Sequence, residues 1–244
     1  MTSLPSTFRA QGLIKSYHGR RVVDQIGFEV RSGEVLGLLG PNGAGKTTTF
    51  YLLVGLINSE GGEIFVDRER IDHLPMWERA RKGITYLPQE SSIFRGLTVE
   101  QNLMAIAEIS GLSKETQKES VEKLLRDFGI SHLRKQLPDT LSGGERRRTE
   151  IARSLVINPR FILLDEPFTG IDPLAIAEIQ GLVRDLKTRG IGVVITDHNV
   201  RETLKICDRA LIINKGKILI EGNPEQIVAS ELARKFYLGE EFTI

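Results

Sequence analysis

The stretch Gly-Pro-Asn-Gly-Ala-Gly-Lys-Thr at residues 40–47 constrains the fold of this chain more than any other feature. Its glycines let the backbone turn tightly, so that several N–H groups can face a polyphosphate at the start of the next helix. An apolar run at 34–39 predicts a strand that enters the loop, and residues 48–54 predict a helix that leaves it. The order strand, glycine loop, helix predicts a phosphate-binding loop rather than a plain turn.

Two side chains of this loop have the chemistry to contact the phosphates. Lys46 can reach the outer phosphates as a point charge. The Thr47 hydroxyl suits a Mg²⁺ ion that keeps most of its waters and bridges phosphate oxygens. The loop therefore predicts a polyphosphate and Mg²⁺ as ligands.

Composition limits the partners of the chain. Its 244 residues are enough for one large core, and the formal net charge of +1 gives no global reason to expect nucleic acid or an anionic membrane surface as a partner. The single cysteine, Cys207, cannot form an internal disulfide, which fits a reducing cytoplasm. Residues 1–11 lack a signal-peptide pattern, and no apolar run is long enough to span a membrane. We therefore expect contact with a membrane only through partners.

The N-terminal part alternates apolar and polar residues between positions 8 and 30, which predicts half-buried antiparallel strands. Tyr17 lies between these strands. Its ring could stack on a nucleotide base, or it could be a surface tyrosine that closes a hairpin. The residues favour neither interpretation.

Three later strands end in polar residues. The run at 84–87 leads to Gln89, and the continuous apolar runs at 161–164 and 192–196 predict strands buried on both faces, as in a parallel sheet. Polar residues at the ends of such strands are where open α/β sheets bind ligands. We expect Gln89 to emerge at that edge of the sheet.

An acid pair and a histidine follow the two buried strands. Asp165 and Glu166 predict one carboxylate on a hydrated Mg²⁺ and one on the attacking water, whereas the alternative is two solvated loop acids. For His198, a polar contact in the shared cleft stands beside the alternative of a structural histidine. Both predictions depend on the strands lying side by side.

Between 97 and 138 the residue pattern becomes that of helices, which predicts an inserted helical subdomain. Thr98 and Gln101 form a capping-box pattern at its start. Ser-Gly-Gly at 142–144 then opens a long helix. Free N–H groups and the helix dipole make this turn a second possible anion site, and the alternative is an ordinary N-cap.

The glycine loop, the strand-end glutamine, Leu-Ser-Gly-Gly-Glu at 141–145, Leu-Leu-Asp-Glu-Pro at 163–167 and the strand-end histidine stand in the order found in ABC transporters. In these motifs almost the whole chain resembles the ATP-binding subunit of that family. The pentad at 141–145 distinguishes this family from other phosphate-loop ATPases, which lack it.

The resemblance implies an α/β fold of the ABC-type P-loop NTPase class, with a mostly parallel core sheet, an N-terminal antiparallel β subdomain and an inserted helical subdomain. It implies one ABC ATPase domain over 1–244. Its nucleotide-binding core would comprise 1–96 and 139–244, and its helical subdomain 97–138.

Site roles are also implied by the resemblance. ATP would lie between the loop of one copy and the turn at 142–144 of another, in a head-to-tail homodimer. Tyr17 would stack on adenine, Glu166 would polarise the attacking water, and His198 would contact the γ-phosphate. The implied catalytic residues are Gln89, Glu166 and His198, the implied metal ligands are Thr47, Gln89 and Asp165, and the implied ATP contacts are Tyr17, Gly40, Pro41, Asn42, Gly43, Ala44, Gly45, Lys46, Thr47, Thr48, Ser142, Gly143, Gly144 and Asp172.

Within the family, four stretches are similar to the ATPase subunit of the lipopolysaccharide exporter: 86–95, 144–153, 196–203 and 237–242. That similarity implies ATP hydrolysis that powers extraction of lipopolysaccharide from the inner membrane. It also implies two transmembrane partner subunits and a peripheral position on the cytoplasmic face. Phe94 and Arg95 lie where such a subunit receives a short helix from its membrane partner, while the alternative for Phe94 is packing between subdomains.

Competing functions remain at this point. The ATPase subunit of a branched-chain amino-acid importer shares the short length and the general motifs. Translation factors with this module usually carry two copies in one chain, and only one is present here. A GTP switch is disfavoured because no Asn-Lys-x-Asp element is found.

Overall fold

The computed structural model describes residues 5–239, 241 and 242. Outside the described residues lie the ends of the predicted 1–244 domain, residues 1–4 of the N-terminal segment that lacks a signal-peptide pattern, and position 240 of the 237–242 stretch. The strands are β1 (Thr7–Tyr17), β2 (Arg20–Arg31), β3 (Val35–Leu39), β4 (Gly61–Val66), β5 (Glu69–Arg70), β6 (Ile84–Leu87), β7 (Phe161–Asp165), β8 (Gly192–Thr196), β9 (Arg209–Asn214) and β10 (Lys217–Gly222).

The helices lie between and after these strands. They are α1 (Lys46–Val54), α2 (Met76–Arg81), α3 (Val99–Ile109), α4 (Lys114–Asp127), α5 (Gly143–Ser154), α6 (Pro173–Thr188), α7 (Val200–Leu204), α8 (Pro224–Ala229) and α9 (Glu231–Ala233). Two short 3₁₀ turns, Ser131–Leu133 and Pro138–Thr140, precede α5, and a π-helical turn, Arg234–Leu238, follows α9. No helix in the described ranges is long and apolar enough to cross a membrane.

The strands form two sheets. A six-stranded sheet has the order β10-β9-β3-β8-β7-β6, and only its β10–β9 pair is antiparallel. A four-stranded sheet, β2-β1-β4-β5, is antiparallel throughout. The predicted α/β class, with a mostly parallel core sheet and an N-terminal antiparallel sheet, is confirmed.

The parallel sheet is buried on both faces, which explains its uninterrupted apolar strands. On β7, Ile162 and Leu164 pack in a cluster with the helices α3 to α6, whereas Phe161 and Leu163 pack in a cluster with α1 and the antiparallel sheet. Alternate residues of one strand thus enter two different cores. A polar residue within this strand would be buried whichever face it took.

Arg79 of α2 fixes the far end of α1, the helix that leaves the glycine loop. The residue is 2% exposed, and its guanidinium donates hydrogen bonds to the carbonyl oxygens of Leu52 and Leu53, at 2.6 and 2.8 Å. It also donates to the carbonyls of Asp72 and Leu74. Burial lowers the pKa of Arg79 to about 10. A cation at a helix C-terminus complements the helix dipole, so Arg79 stabilises the element that presents the loop.

Candidate active site

The loop at 40–47 is fixed by close backbone approach on both sides. Gly40 and Gly45 have φ angles of 149° and 108°. A Cβ at Gly40 would lie 2.1 Å from the carbonyl oxygen of Ile213, and one at Gly45 would lie 2.4 Å from that of Val22. Only glycine fits these two positions, because β9 and β2 already fill the space. Between them, Asn42 and Gly43 are exposed at the tip of the loop.

Lys46 lies inside the loop that precedes it. Its Nζ donates to the carbonyl oxygens of Gly40 at 2.6 Å and Pro41 at 3.1 Å, and the residue is 6% exposed. Burial lowers the pKa of Lys46, and the charges of Glu166 and Asp165 oppose that effect. The cation therefore lies near both predicted acidic residues. Thr47 is exposed at the start of α1, and Thr48 is half-buried beside it.

Asp165, at the end of β7, is 3% exposed. Its Oδ2 accepts a hydrogen bond of 3.0 Å from the hydroxyl of Tyr86 on β6. Burial raises the pKa of Asp165, while the Tyr86 hydrogen bond lowers it. Arg147 of α5 donates to the backbone carbonyl of Asp165 at 3.3 Å. The alternative of a solvated loop acid is wrong for this residue.

Glu166 directly follows Asp165 in sequence, and its side chain contacts His198. Its φ of 46° is uncommon for a residue with a side chain, and its backbone N–H donates to the carbonyl of Thr196 at 2.8 Å. His198 Nε2 lies 2.6 Å from Glu166 Oε1, and the Thr169 hydroxyl donates to Oε2 at 3.1 Å. The structure thus brings the acid and the histidine into direct contact at the strand ends. Because Glu166 is 7% exposed, it too is no solvated loop acid.

Asp197 connects the two loops that bear Glu166 and His198, and the sequence analysis missed it. Its Oδ2 accepts from the backbone N–H of Phe168 and its Oδ1 from that of Asn199, both at 2.8 Å. Burial raises the pKa of Asp197, and these backbone hydrogen bonds lower it. Its place beside a strand-end histidine was the available signal, since that position already predicted a polar cleft.

Gln89 and Gly143, from the turn at 142–144, line one small cavity together with the Glu166 loop. The cavity has a volume of about 120 Å³ and its lining includes Gln89, Gly143, Glu166 and Gly170. Gln89 is exposed two residues after β6 ends. The predicted strand-end glutamine therefore lies at the same edge as the acid pair.

The turn at 142–144 forms a complete capping box. Ser142 Oγ accepts from the N–H of Glu145, and the Glu145 carboxylate accepts from the Ser142 N–H at 2.8 Å. Ser142 and Gly143 are exposed, whereas Gly144 is buried. An N-cap is therefore present. In the described ranges, no hydrogen bond joins this turn to the loop at 40–47.

Asp172 and Tyr17 also have roles within their own chain. Asp172 caps α6, because its Oδ1 accepts from the N–H of Ala175 at 3.0 Å. Tyr17 ends β1 at a two-residue turn and is 44% exposed, with the Lys15 ammonium 5.7 Å from its ring centroid. The hairpin position is observed, and stacking on a base stays a prediction.

The donor set fits Mg²⁺ bound in large part by phosphates. Within the described residues, no group of three or more His, Cys, Asp or Glu side chains could hold a metal ion. A nucleotide-associated Mg²⁺ needs no such group, since it takes one or two carboxylates together with phosphate oxygens and waters. The Asp165 carboxylate beside the Lys46 loop meets that need.

A buried parallel sheet, a glycine loop that opens a helix, and charged residues gathered at the adjacent strand ends define a phosphate-loop nucleotide-binding protein. The family model described as ABC transporter matches residues 23–169. A Haemophilus influenzae protein named lipopolysaccharide export system ATP-binding protein LptB is 54% identical over 240 residues, which cover 98% of this chain and 100% of that protein. This chain belongs to the ABC transporter family.

Two further similarities agree with that family. A probable ABC transporter ATP-binding protein of Azorhizobium caulinodans is 57% identical, over 96% of this chain and 84% of that protein. A solved ATP-binding cassette of an ABC transporter, in its ADP conformation, has a TM-score of 0.86 at 28% identity, over 96% of this chain and 99% of that chain. The fold and the family are thus supported along nearly the whole length.

Proposed function

We propose that this chain is the ATP-hydrolysing subunit of an ABC transporter that powers extraction and export of lipopolysaccharide from the inner membrane. The observation that carries the proposal is the cluster of Lys46, Asp165, Glu166 and His198, in a chain that matches a lipopolysaccharide export ATPase over nearly its full length. The branched-chain amino-acid importer is not favoured, because the relative with this full-length match has the export name.

Hydrolysis follows from the positions of these side chains. Lys46 neutralises charge on the outer phosphates, where its ammonium group lies among loop carbonyls and near two carboxylates. Glu166 orients the attacking water and accepts its proton as the water oxygen bonds to the γ-phosphorus and the bond to ADP breaks. His198 contacts Glu166 now and would contact the γ-phosphate when ATP is bound.

Mg²⁺ is the implied cofactor, and when bound it would neutralise charge on the β- and γ-phosphate oxygens. Thr47, Gln89 and Asp165 would be its protein ligands. The remaining proposed ATP contacts are those of the loop at 40–48, Tyr17 and, from a second copy, the turn at 142–144 with Asp172.

A head-to-tail homodimer is the proposed active form. Its support is that Ser142 and Gly143 are exposed and share no hydrogen bond with the loop at 40–47 within the described residues. A second copy would bring its turn to the ATP bound by the first. Closure on ATP would then pull on the membrane partners, and hydrolysis would reopen the dimer.

Membrane partner subunits follow from membership in a transporter family. We place their contact at Phe94 and Arg95, in a peripheral assembly on the cytoplasmic face of the inner membrane. Phe94 is 44% exposed, and its backbone N–H and carbonyl both bond to the side chain of Asn102 on α3. The Arg153 guanidinium of α5 lies 4.8 Å from its ring centroid. This exposed, well-anchored ring suits a partner helix. It contacts α3 of the proposed helical subdomain at 97–138 and α5 of the proposed core.

Co-purification from detergent-solubilised membranes tests this function. We expect the tagged chain to retain two membrane subunits of a lipopolysaccharide exporter, and Phe94→Ala to reduce their recovery about tenfold or more. The matched control is Phe236→Ala, which truncates a ring of similar exposure, 46%, elsewhere on the surface. Amino-acid permease subunits in the purified complex would replace the export assignment with import. Equal loss in both variants would contradict the contact at Phe94.

A further inference from the structure

Tyr86 and Asp165 form a hydrogen bond between neighbouring parallel strands. The Tyr86 hydroxyl donates to Asp165 Oδ2 at 3.0 Å, although the two residues are 79 positions apart in sequence. Tyr86 lies on β6, which pairs in parallel with β7, and Asp165 is the last residue of β7. The contact therefore depends on the register of the sheet.

The Tyr86 ring is itself fixed by α1. It meets the rings of Phe50 and Tyr51 edge to face, with 6.4 Å between ring centroids in each pair. Both of these residues are on the helix that begins at Lys46. The ring cannot turn away from Asp165 without disturbing packing against the helix that follows the phosphate-binding loop.

One oxygen of the Asp165 carboxylate is anchored in this way, and the other remains available. Among the described residues, Asp165 Oδ1 receives no hydrogen bond, while Oδ2 receives the one from Tyr86. Partners that hydrogen-bond a metal-binding carboxylate fix the direction of its free oxygen, and their removal typically weakens metal binding 10–100-fold.

We propose that Tyr86 is a positioning residue for the Mg²⁺ of the bound nucleotide, acting through Asp165. The inference rests on the proposed role of Asp165 as a metal ligand. Tyr86 touches neither metal nor phosphate. It connects the carboxylate to the helix that carries Lys46, so that the metal ligand and the phosphate-binding loop keep one relative position.

The test compares nucleotide affinity with and without the metal in the full-length chain. The Kd of a fluorescent, non-hydrolysable ATP analogue is measured by anisotropy in Mg²⁺ and in EDTA. The Kd in EDTA divided by the Kd in Mg²⁺ gives the contribution of the metal. Tyr86→Phe should reduce this ratio about tenfold and leave the Kd in EDTA within about twofold. Thr85→Val is the matched control, because it removes the hydroxyl of the neighbouring residue on β6, which donates to the carbonyl oxygen of Phe161 and not to Asp165.

Asp165→Asn separates failure of this inference from failure of the proposed site. If Asp165→Asn lowers the ratio and Tyr86→Phe does not, the positioning role is overturned and the metal ligand stands. If neither variant lowers it, the assignment of Asp165 fails as well. Equal weakening in Mg²⁺ and EDTA would mean that Tyr86→Phe disturbs the loop itself, and that result also overturns the proposal. Unchanged thermal midpoints confirm that each variant is folded.

Discussion

The strand-end cluster and the turn at 142–144 are two regions proposed to contact the same nucleotide, and they are built in opposite ways. Lys46, Asp165 and Glu166 are at most 7% exposed and interact with one another. Ser142 and Gly143 are exposed, and the capping box engages the Ser142 hydroxyl and the N–H groups of Ser142 and Glu145. The first region has its charged side chains assembled within one chain. The second is exposed at the surface, where the proposed second copy can contact it.

This difference predicts that the buried cluster acts in ATP binding and hydrolysis, and that the exposed turn acts in dimer assembly. Changes in the buried cluster should abolish hydrolysis or ATP binding in each copy. Changes in the exposed turn should spare ATP binding by a single copy and affect only its closure with another. The following experiments test that separation, starting with the largest expected effect.

Glu166→Gln should reduce the rate of ATP hydrolysis on the order of 10³-fold, because the amide cannot accept the proton of the attacking water. ATP binding should remain, and size-exclusion chromatography with ATP should show a trapped dimer. Phosphate release gives the rate. Glu115→Gln, the same change on the exposed surface of α4, is the control and should stay within about twofold. Full turnover in Glu166→Gln would contradict the assignment.

Ser142→Arg, made in the Glu166→Gln background, should abolish the ATP-dependent dimer and leave the Kd for ATP of the single copy within about twofold. Lys46→Ala in the same background should weaken ATP binding about 100-fold, since it removes the charge that faces the phosphates. Thr98→Arg controls for the lost cap, because Thr98 forms the same kind of capping box with Gln101 on α3. Chromatography and equilibrium binding distinguish the outcomes. A dimer that survives Ser142→Arg would remove this turn from the interface.

The sequence predicted the parts of the site that depend on local pattern. The glycine loop, the apolar strands and the residues that follow them need only neighbouring residues, and the structure brings Lys46, Asp165, Glu166 and His198 together as their strand ends implied. The Tyr86 contact could not be predicted in this way. It requires the pairing of β6 with β7, which the chain joins through a long helical segment.

The alternatives that the sequence left open were of a different kind. An N-cap at Ser142 and an anion site at this turn are compatible. The capping box uses groups of Ser142 and Glu145, and no hydrogen bond among the described residues uses the N–H groups of Gly143 and Gly144. Phe94 was open between packing and partner contact because a single chain cannot show what covers a ring. Its 44% exposure and its anchoring by Asn102 were visible only in three dimensions.

The smallest expected effect concerns the cap of α5 itself. Hydrogen bonds from the Ser142 hydroxyl and backbone N–H lower the pKa of Glu145. A carboxyl with a lowered pKa in the folded state stabilises that state above its ordinary pKa of 4.5, and this contribution is lost as the pH falls through the lowered value. Ser142→Ala should therefore cost about 1 kcal/mol at pH 7, and less when the pH is well below 4.5. Thr98→Ala is the control, because its partner Gln101 does not titrate, so its cost should show no such pH dependence. Urea unfolding at both pH values measures the two costs. Parallel pH profiles for the two variants would show that the Ser142 cap does not depend on the charge of Glu145.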